Sequence, residues 1–207
     1  ISFTRRRSGV RSPLQAYKIC IMEYIFQSNF ILRFQPPNLD ELLSKINEFD
    51  HTHVSNSSFT WGEYCNVDKI PLDIDGMMSY VTPSVDCISK ELEYSGGYII
   101  DHPWINLYTK GSFQELHDHF PWDLACVLFI NDGENFSKFY VKDRNNVNTS
   151  ENLQDILHKV NGYTRGHFVD IKEGDMIVFP ANMLHGVTMH NSDIVRKTFS
   201  FNLNFAK

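Results

Sequence analysis

Two spacings of apolar residues divide the chain. In PPNLDELLSKINEF (36–49), Leu39, Leu42, Leu43 and Ile46 recur at i, i+3, i+4 and i+7 behind two prolines, which predicts a helix. The segment DGMMSYVTPSVDCISKELEY (75–94) predicts a second helix, broken or preceded by Pro83. Ahead of the first helix, YIFQSNFILRF (24–34) has the composition of a strand, and the polar, turn-rich residues 51–75 predict a loop. From Tyr98 the spacing changes. YIIDHPWINLYTKG, LHDHFP, ACVLFIN, FSKFYVKD, HFVDIKEGD, MIVFP, LHGVTMH and VRKTFSFNLNF are short strand-like runs punctuated by Gly, Asn and Asp. One interruption, NTSENLQDILHKVN (148–161), predicts a loop with a helical turn.

About eight short strands following helices predict an α+β, mainly β domain: a double-stranded β-helix (a cupin-like jelly roll) with the N-terminal helices packed on one sheet. The length of 207 residues suits one domain, and 16 Phe and 9 Tyr lean the same way. The net charge of −6 is unevenly spread. Residues 1–21 hold Arg5, Arg6, Arg7, Arg11 and Lys18 and no acid, so residues 22–207 carry the remaining 14 of 19 basic residues against all 25 acidic ones, a net of −11. We read 1–21 as a basic leader, disordered or upstream of the true start, and 22–207 as a single domain. The acidic body argues against nucleic acid as a partner. No apolar run approaches the roughly 20 residues that cross a bilayer. Cys20, Cys65, Cys87 and Cys126 are widely spaced and read as free thiols, which fits a cytoplasmic protein. A homodimer is left open.

The chemistry concentrates in the β-region. In LHDHFPWD (116–123), His117 and His119 are i and i+2, so in an extended strand they point to one face and Asp118 to the other. His185 follows in FPANMLHGV, after the turn at Gly174-Asp175, and Arg196 opens VRKTFSFN. On a strand, Arg196, Thr198 and Ser200 share a face, while Val195, Lys197, Phe199 and Phe201 take the other. An inward Arg calls for an anion, and its planar fork suits a carboxylate. A lone histidine is more often hydrogen-bonded core or surface than ligand. His51, His53, His102, His158, His167 and His190 keep that reading.

The ordered set resembles the iron(II)/2-oxoglutarate-dependent dioxygenase superfamily, and most of all a branch of small proteins with a W-x-N strand, an H-x-H-x-P motif and a terminal R-x-S-x-x-F-N-like strand. Here these are Trp104-Ile105-Asn106, His117 to Pro121 and Arg196 to Asn202. The resemblance covers roughly residues 98–205. It implies that His185 is the distal iron ligand and that Arg196 pairs with the far carboxylate of 2-oxoglutarate, helped by Thr198 or Ser200, with Tyr108 and Asn106 beside the cosubstrate. The implied reaction consumes 2-oxoglutarate and O2, releases succinate and CO2, and hydroxylates a protein side chain or a small molecule.

The superfamily usually places an H-x-D/E pair on the earlier strand, and this chain has none. Three ligand sets follow: His117, His119 and His185; Glu115 with His117; or a bulge that brings in Asp118 or Asp123. Phe113, Trp122 and Phe199 are expected as pocket walls. Two other classes compete. One is another cupin-type metal enzyme, a cosubstrate-free dioxygenase or isomerase. The other is a non-catalytic jelly-roll binding module.

Overall fold

The structure, a computed structural model, describes residues 30–49, 66–101, 103–142 and 166–206. Strand β1 (Leu32–Phe34) leads into helix α1 (Leu39–Asn47). The helix follows its pattern: Leu42 and Ile46 are buried, Asp40 and Glu41 sit at its positive N-terminal end and Lys45 at its negative C-terminal end. The Asn38 side-chain amide donates to the Tyr80 carbonyl (3.1 Å) and so ties α1 to α2 (Ile74–Glu91). Asp73 caps α2 by accepting from the Gly76 N–H. Pro83 does not break α2: the buried positions Met77, Val81, Ser84, Val85 and Ile88 lie on both sides of it, and their packing outweighs the lost hydrogen bond.

Between the helices, where sequence predicted loop, Asp68–Pro71 forms strand β2. Its four residues lack the alternation that marks a strand, and Pro71 is tolerated because β2 lies at a sheet edge. The run from Tyr98 holds two strands, β3 (Tyr98–Ile100) and β4 (Trp104–Tyr108). The remaining strands are β5 (Gln114–His117), β6 (Leu124–Phe129), β7 (Phe139–Lys142), β8 (Gly166–Phe168), β9 (Met176–Pro180), β10 (Leu184–Val187) and β11 (Arg196–Phe205). The expected strand 24–34 appears as β1 alone, and residues 24–29, like the leader and the 148–161 segment, lie outside the described residues.

The strands form two antiparallel sheets. The larger has the order β1-β9-β6-β11-β4-β2, with β3 also on β11, and the smaller is β5-β10-β7-β8. This is the double-stranded β-helix that the alternation predicted. Its spine is β11, ten residues long. One edge pairs with β6, and the other pairs with β4 at Arg196–Ser200 and with β3 at Leu203–Phe205.

Alternation gives the large sheet two different faces. The outer face (Ile105, Leu107, Cys126, Leu128, Met176, Val178, Phe199, Phe201 and Leu203) joins the buried stripes of α1 and α2 in one apolar core. The inner face is mixed. Ala125, Phe129, Ile177 and Phe179 pack between the sheets with Phe139, Met183 and Val187. Its β4 and β11 part is polar, with Asn106, Arg196, Thr198, Ser200 and Asn202 all buried. Buried polar groups are costly unless paired, so this half of the inner face must be supplied with partners or ligands. Among the described residues no helix is long and apolar enough to cross a membrane. Cys87 and Cys126 are free thiols.

Phe201→Ala, which empties the helix-facing core, is expected to lower unfolding stability by about 3–5 kcal/mol. Ile99→Ala, at a residue that is 59% exposed, should change it by less than about 0.5 kcal/mol. Urea denaturation of both variants checks the assignment of faces.

Candidate functional site

His117 closes β5 and His185 is the second residue of β10. The two are directly opposed in the antiparallel register. Opposed residues in such a pair have their side chains on the same face. His119 lies beyond the end of β5, in a turn where its N–H donates to the Ala181 carbonyl (2.7 Å) and its carbonyl accepts from the Trp122 N–H (3.1 Å). The rings converge through cross-strand pairing and a turn, rather than through alternation along one strand as expected. Centroids are 4.3 Å apart for His117 and His185, 5.0 Å for His119 and His185, and 5.3 Å for His117 and His119. One nitrogen from each ring lies within 4.8 Å of the others.

Each ring is held by its Nδ1. His117 Nδ1–H donates to the Glu115 carbonyl (2.7 Å), His185 Nδ1–H to the Met183 carbonyl (2.9 Å) and His119 Nδ1–H to Asn202 Oδ1 (2.8 Å). These oxygens only accept, so Nδ1 carries the proton and Nε2 the lone pair. Burial, reinforced by the neighbouring imidazoles, lowers the proton affinity of His119 to about 4 and of His185 well below the ordinary value; burial also lowers that of His117. Three neutral, oriented imidazoles form a donor set that fits a divalent cation. In the sequence Asn202 only closed the Arg196 to Asn202 motif and was given no role, yet the period-2 face of Arg196, Thr198 and Ser200 leads directly to it.

The carboxylates considered as ligands stand elsewhere. Glu115 is exposed and contributes its backbone carbonyl to His117. Asp118 accepts from the Phe120 N–H within the turn, and Asp123 accepts from the Phe205 N–H at the end of β11. Among the described residues the metal-capable group is His117, His119 and His185 alone.

Arg196 lines the same cavity as the three histidines. It is 4% exposed. Its Nη1 donates to Ser137 Oγ (2.8 Å), and its guanidinium carbon lies 4.9 Å from the Tyr108 ring centre and 5.2 Å from that of Phe129. No carboxylate among the described residues is within ion-pair distance of it. Ser137 is fixed in turn: its N–H donates to His190 Nδ1, while His190 Nε2–H donates to the Ile194 carbonyl, so His190 is the hydrogen-bonded core histidine that was expected. Asn106 donates to Thr198 Oγ1 (3.0 Å) and Ser200 Oγ (3.2 Å), and accepts from Trp104 Nε1. The Tyr108 hydroxyl bonds Gln114 Oε1. On its far side Arg196 also lines a second cavity of about 590 Å³ with Asp132 and Lys138.

The walls differ from those expected. Trp104 stacks on His119 (5.9 Å, 18°), and Phe139 and Phe179 pack on His185. Phe199 faces the helices, and Phe113 and Trp122 do not line the cavity.

Residues 102–202 match a family described as "Putative 2OG-Fe(II) oxygenase". No curated protein matches the chain in sequence. Among solved structures, a prolyl-4-hydroxylase from Pseudomonas putida is similar with a TM-score of 0.59 at 13% identity, covering 86% of this chain and 93% of that one. HygX from Streptomyces hygroscopicus, solved with nickel and 2-oxoglutarate bound, gives 0.57 at 12% identity over 85% and 83%. The non-heme alpha-ketoglutarate-dependent epimerase SnoN of nogalamycin biosynthesis gives 0.59 at 12% identity over 85% and 76%. At these identities the likeness in structure is one of fold. The 2OG-Fe(II) oxygenases are therefore the family that this chain matches in sequence across the stretch carrying its histidines and Arg196, and whose fold it shares over most of its length.

Proposed function

We propose that this chain is an Fe(II)- and 2-oxoglutarate-dependent dioxygenase of the hydroxylase type, acting on a protein side chain or a small molecule. In this reading His117, His119 and His185 hold the metal and Arg196 pairs with the far carboxylate of 2-oxoglutarate. One observation carries it: three neutral imidazoles gathered within 4.8 Å, with a buried Arg lining the same cavity. When bound, iron with 2-oxoglutarate and O2 supplies the oxidising chemistry and yields succinate and CO2. The chain supplies position and charge. The Nδ1 hydrogen bonds orient the ligand nitrogens before any ion arrives, so little ring freedom is lost on binding. Arg196 offers a charge already desolvated, with Ser137 occupying one of its donors and Tyr108 and Phe129 packed on its planes. Thr198 and Ser200 stand one and two pleats along, held by Asn106, where they can bond the same carboxylate. Phe139 and Phe179 keep water from His185.

A cosubstrate-free metal enzyme is the second reading. The all-histidine set suits it, but it leaves buried Arg196 without an anion.

The direct test is succinate formation from 2-oxoglutarate with added Fe(II). Wild type should form it slowly without a prime substrate, and His185→Ala should not. Equal rates would remove the proposal. Arg196→Ala should weaken 2-oxoglutarate binding roughly 10- to 100-fold through the lost charge-assisted bonds, with metal affinity kept. Asn202→Leu should weaken divalent-metal binding about 10- to 100-fold, because the His119 ring loses its orienting partner. Asn202→Asp, which still accepts from Nδ1–H, should retain most of it.

Acid should destabilise the metal-free protein through the same rings. The folded-state proton affinity of His119 is about 4, below its unfolded value near 6.5, so the unfolded chain binds more protons in that window and stability falls as pH drops from about 6.5 to about 4. The His119 share is about 3 kcal/mol. Urea unfolding of wild type and His119→Gln at both pH values should show the variant losing less.

A further inference from the structure

Behind Arg196 lies the second cavity, of about 590 Å³, a size ordinary for a small-molecule site. Phe129, Phe139 and Arg196 line both cavities and form the partition between them, and none of the three histidines lines the second. Arg196 is tied to the second side through Ser137, which lines that cavity alone and accepts from Arg196 Nη1 (2.8 Å). Ser137 is buried, and its hydroxyl hydrogen has no backbone or side-chain acceptor among the described residues. A buried donor of this kind calls for an acceptor.

The charges around this cavity do not cancel. Arg196, Lys138 and Lys172 stand against Asp132 and Asp170, which leaves one positive charge; Glu134 and Glu173, beside them in sequence, do not line it. Among the described residues neither lysine is ion-paired. Burial lowers the proton affinity of Arg196, and Tyr108 and the Asp132 carboxylate oppose that shift, so Asp132 offsets part of its charge from beyond ion-pair distance. The Lys138 ammonium lies 5.8 Å from the Phe168 ring centre, and Phe168 is 57% exposed. Phe136 and Ile171 extend this apolar wall.

One surplus cation, one hydroxyl donor without an acceptor and an open aromatic wall are the complement of an apolar body carrying one carboxylate. We propose that the second cavity is a regulatory site for a small carboxylic acid with an aromatic or similarly flat apolar body. Its carboxylate accepts from the Ser137 hydroxyl and the Lys138 ammonium, and its body lies on Phe168. A ligand there is walled off from the histidines by Phe129, Phe139 and Arg196, so it is an effector and not the substrate. It acts through Arg196. A carboxylate one hydroxyl away from the guanidinium weakens its attraction for another carboxylate on the opposite side. Resting on the reading of the first cavity as the 2-oxoglutarate site, the acid and 2-oxoglutarate oppose each other's binding, each by the same factor. Exposed lysines are commonly just solvated. That role alone would give no preference for an apolar acid, and the experiment separates the two.

Phenylacetate, neutral phenylacetamide and acetate are titrated by calorimetry into the full metal-free chain, as wild type, Lys138→Gln and Phe168→Ala. Phenylacetate should bind wild type at least about ten-fold more tightly than either control, since one lacks the charge and the other the apolar body. Lys138→Gln should lose about ten-fold of that affinity and Phe168→Ala about five-fold. In the Ni(II)-loaded wild type, saturating phenylacetate should weaken 2-oxoglutarate binding about five- to ten-fold. Without the acid, both variants should bind 2-oxoglutarate within about three-fold of wild type, because neither residue lines the first cavity. The proposal is overturned if either control binds as tightly as phenylacetate, if either variant binds phenylacetate like wild type, or if saturating phenylacetate leaves 2-oxoglutarate affinity unchanged. Failure of wild type to bind 2-oxoglutarate at all would sink the oxygenase reading separately. The metal-free titrations would then still decide whether the second site exists.

Discussion

Three imidazoles can share one cation only while each keeps its other nitrogen bonded to an oxygen. Here two of those oxygens are backbone carbonyls, of Glu115 and Met183, and the third is the Asn202 amide. The carbonyls lie two residues before the histidines they hold, so the local path of the chain at β5 and β10 sets both rings. The antiparallel register then sets His117 against His185. His119 is different: its ring depends on a side chain 83 residues away, on β11. The site exists only when the two sheets are packed together, and the helix-backed core of the large sheet is what holds β11 in place.

That strand links structure to function. Its outward residues, Phe199, Phe201 and Leu203, bury against the helices. Its inward residues, Arg196, Thr198, Ser200 and Asn202, are polar and buried. The two sets alternate along one strand, so the apolar packing that orders β11 also places the polar side chains, with no freedom to rotate the strand about its axis. A hydrogen-bonded network of Asn106, Ser137 and His190 then satisfies what burial would otherwise leave unpaired.

Much of this could be read from the chain, for identifiable reasons. The stripe of α1 and the alternation of β11 are strong periodic signals, and both hold. The convergence of His117, His119 and His185 was expected, but by strand alternation. The chain instead turns at His119, because Ala181 and Trp122 bond its backbone, and no local pattern announces such long-range bonds. Strand β2 was missed because DKIP shows no alternation. It forms only because β4 offers a free edge. Phe199 was misplaced as a wall although its own alternation turns it toward the helices. Trp104, Phe129 and Phe139 line the cavity and Phe179 packs on His185, and the place of these phenylalanines depends on sheet packing that one sequence does not display.

The most direct measurement is anomalous diffraction from crystals of the chain grown with Ni(II) and 2-oxoglutarate. The account predicts one metal peak about 2.0–2.2 Å from the Nε2 atoms of His117, His119 and His185, with the far carboxylate of 2-oxoglutarate on Arg196. A peak held through Nδ1, a metal bound by a carboxylate of Glu115, Asp118 or Asp123, or no peak among these rings would contradict it.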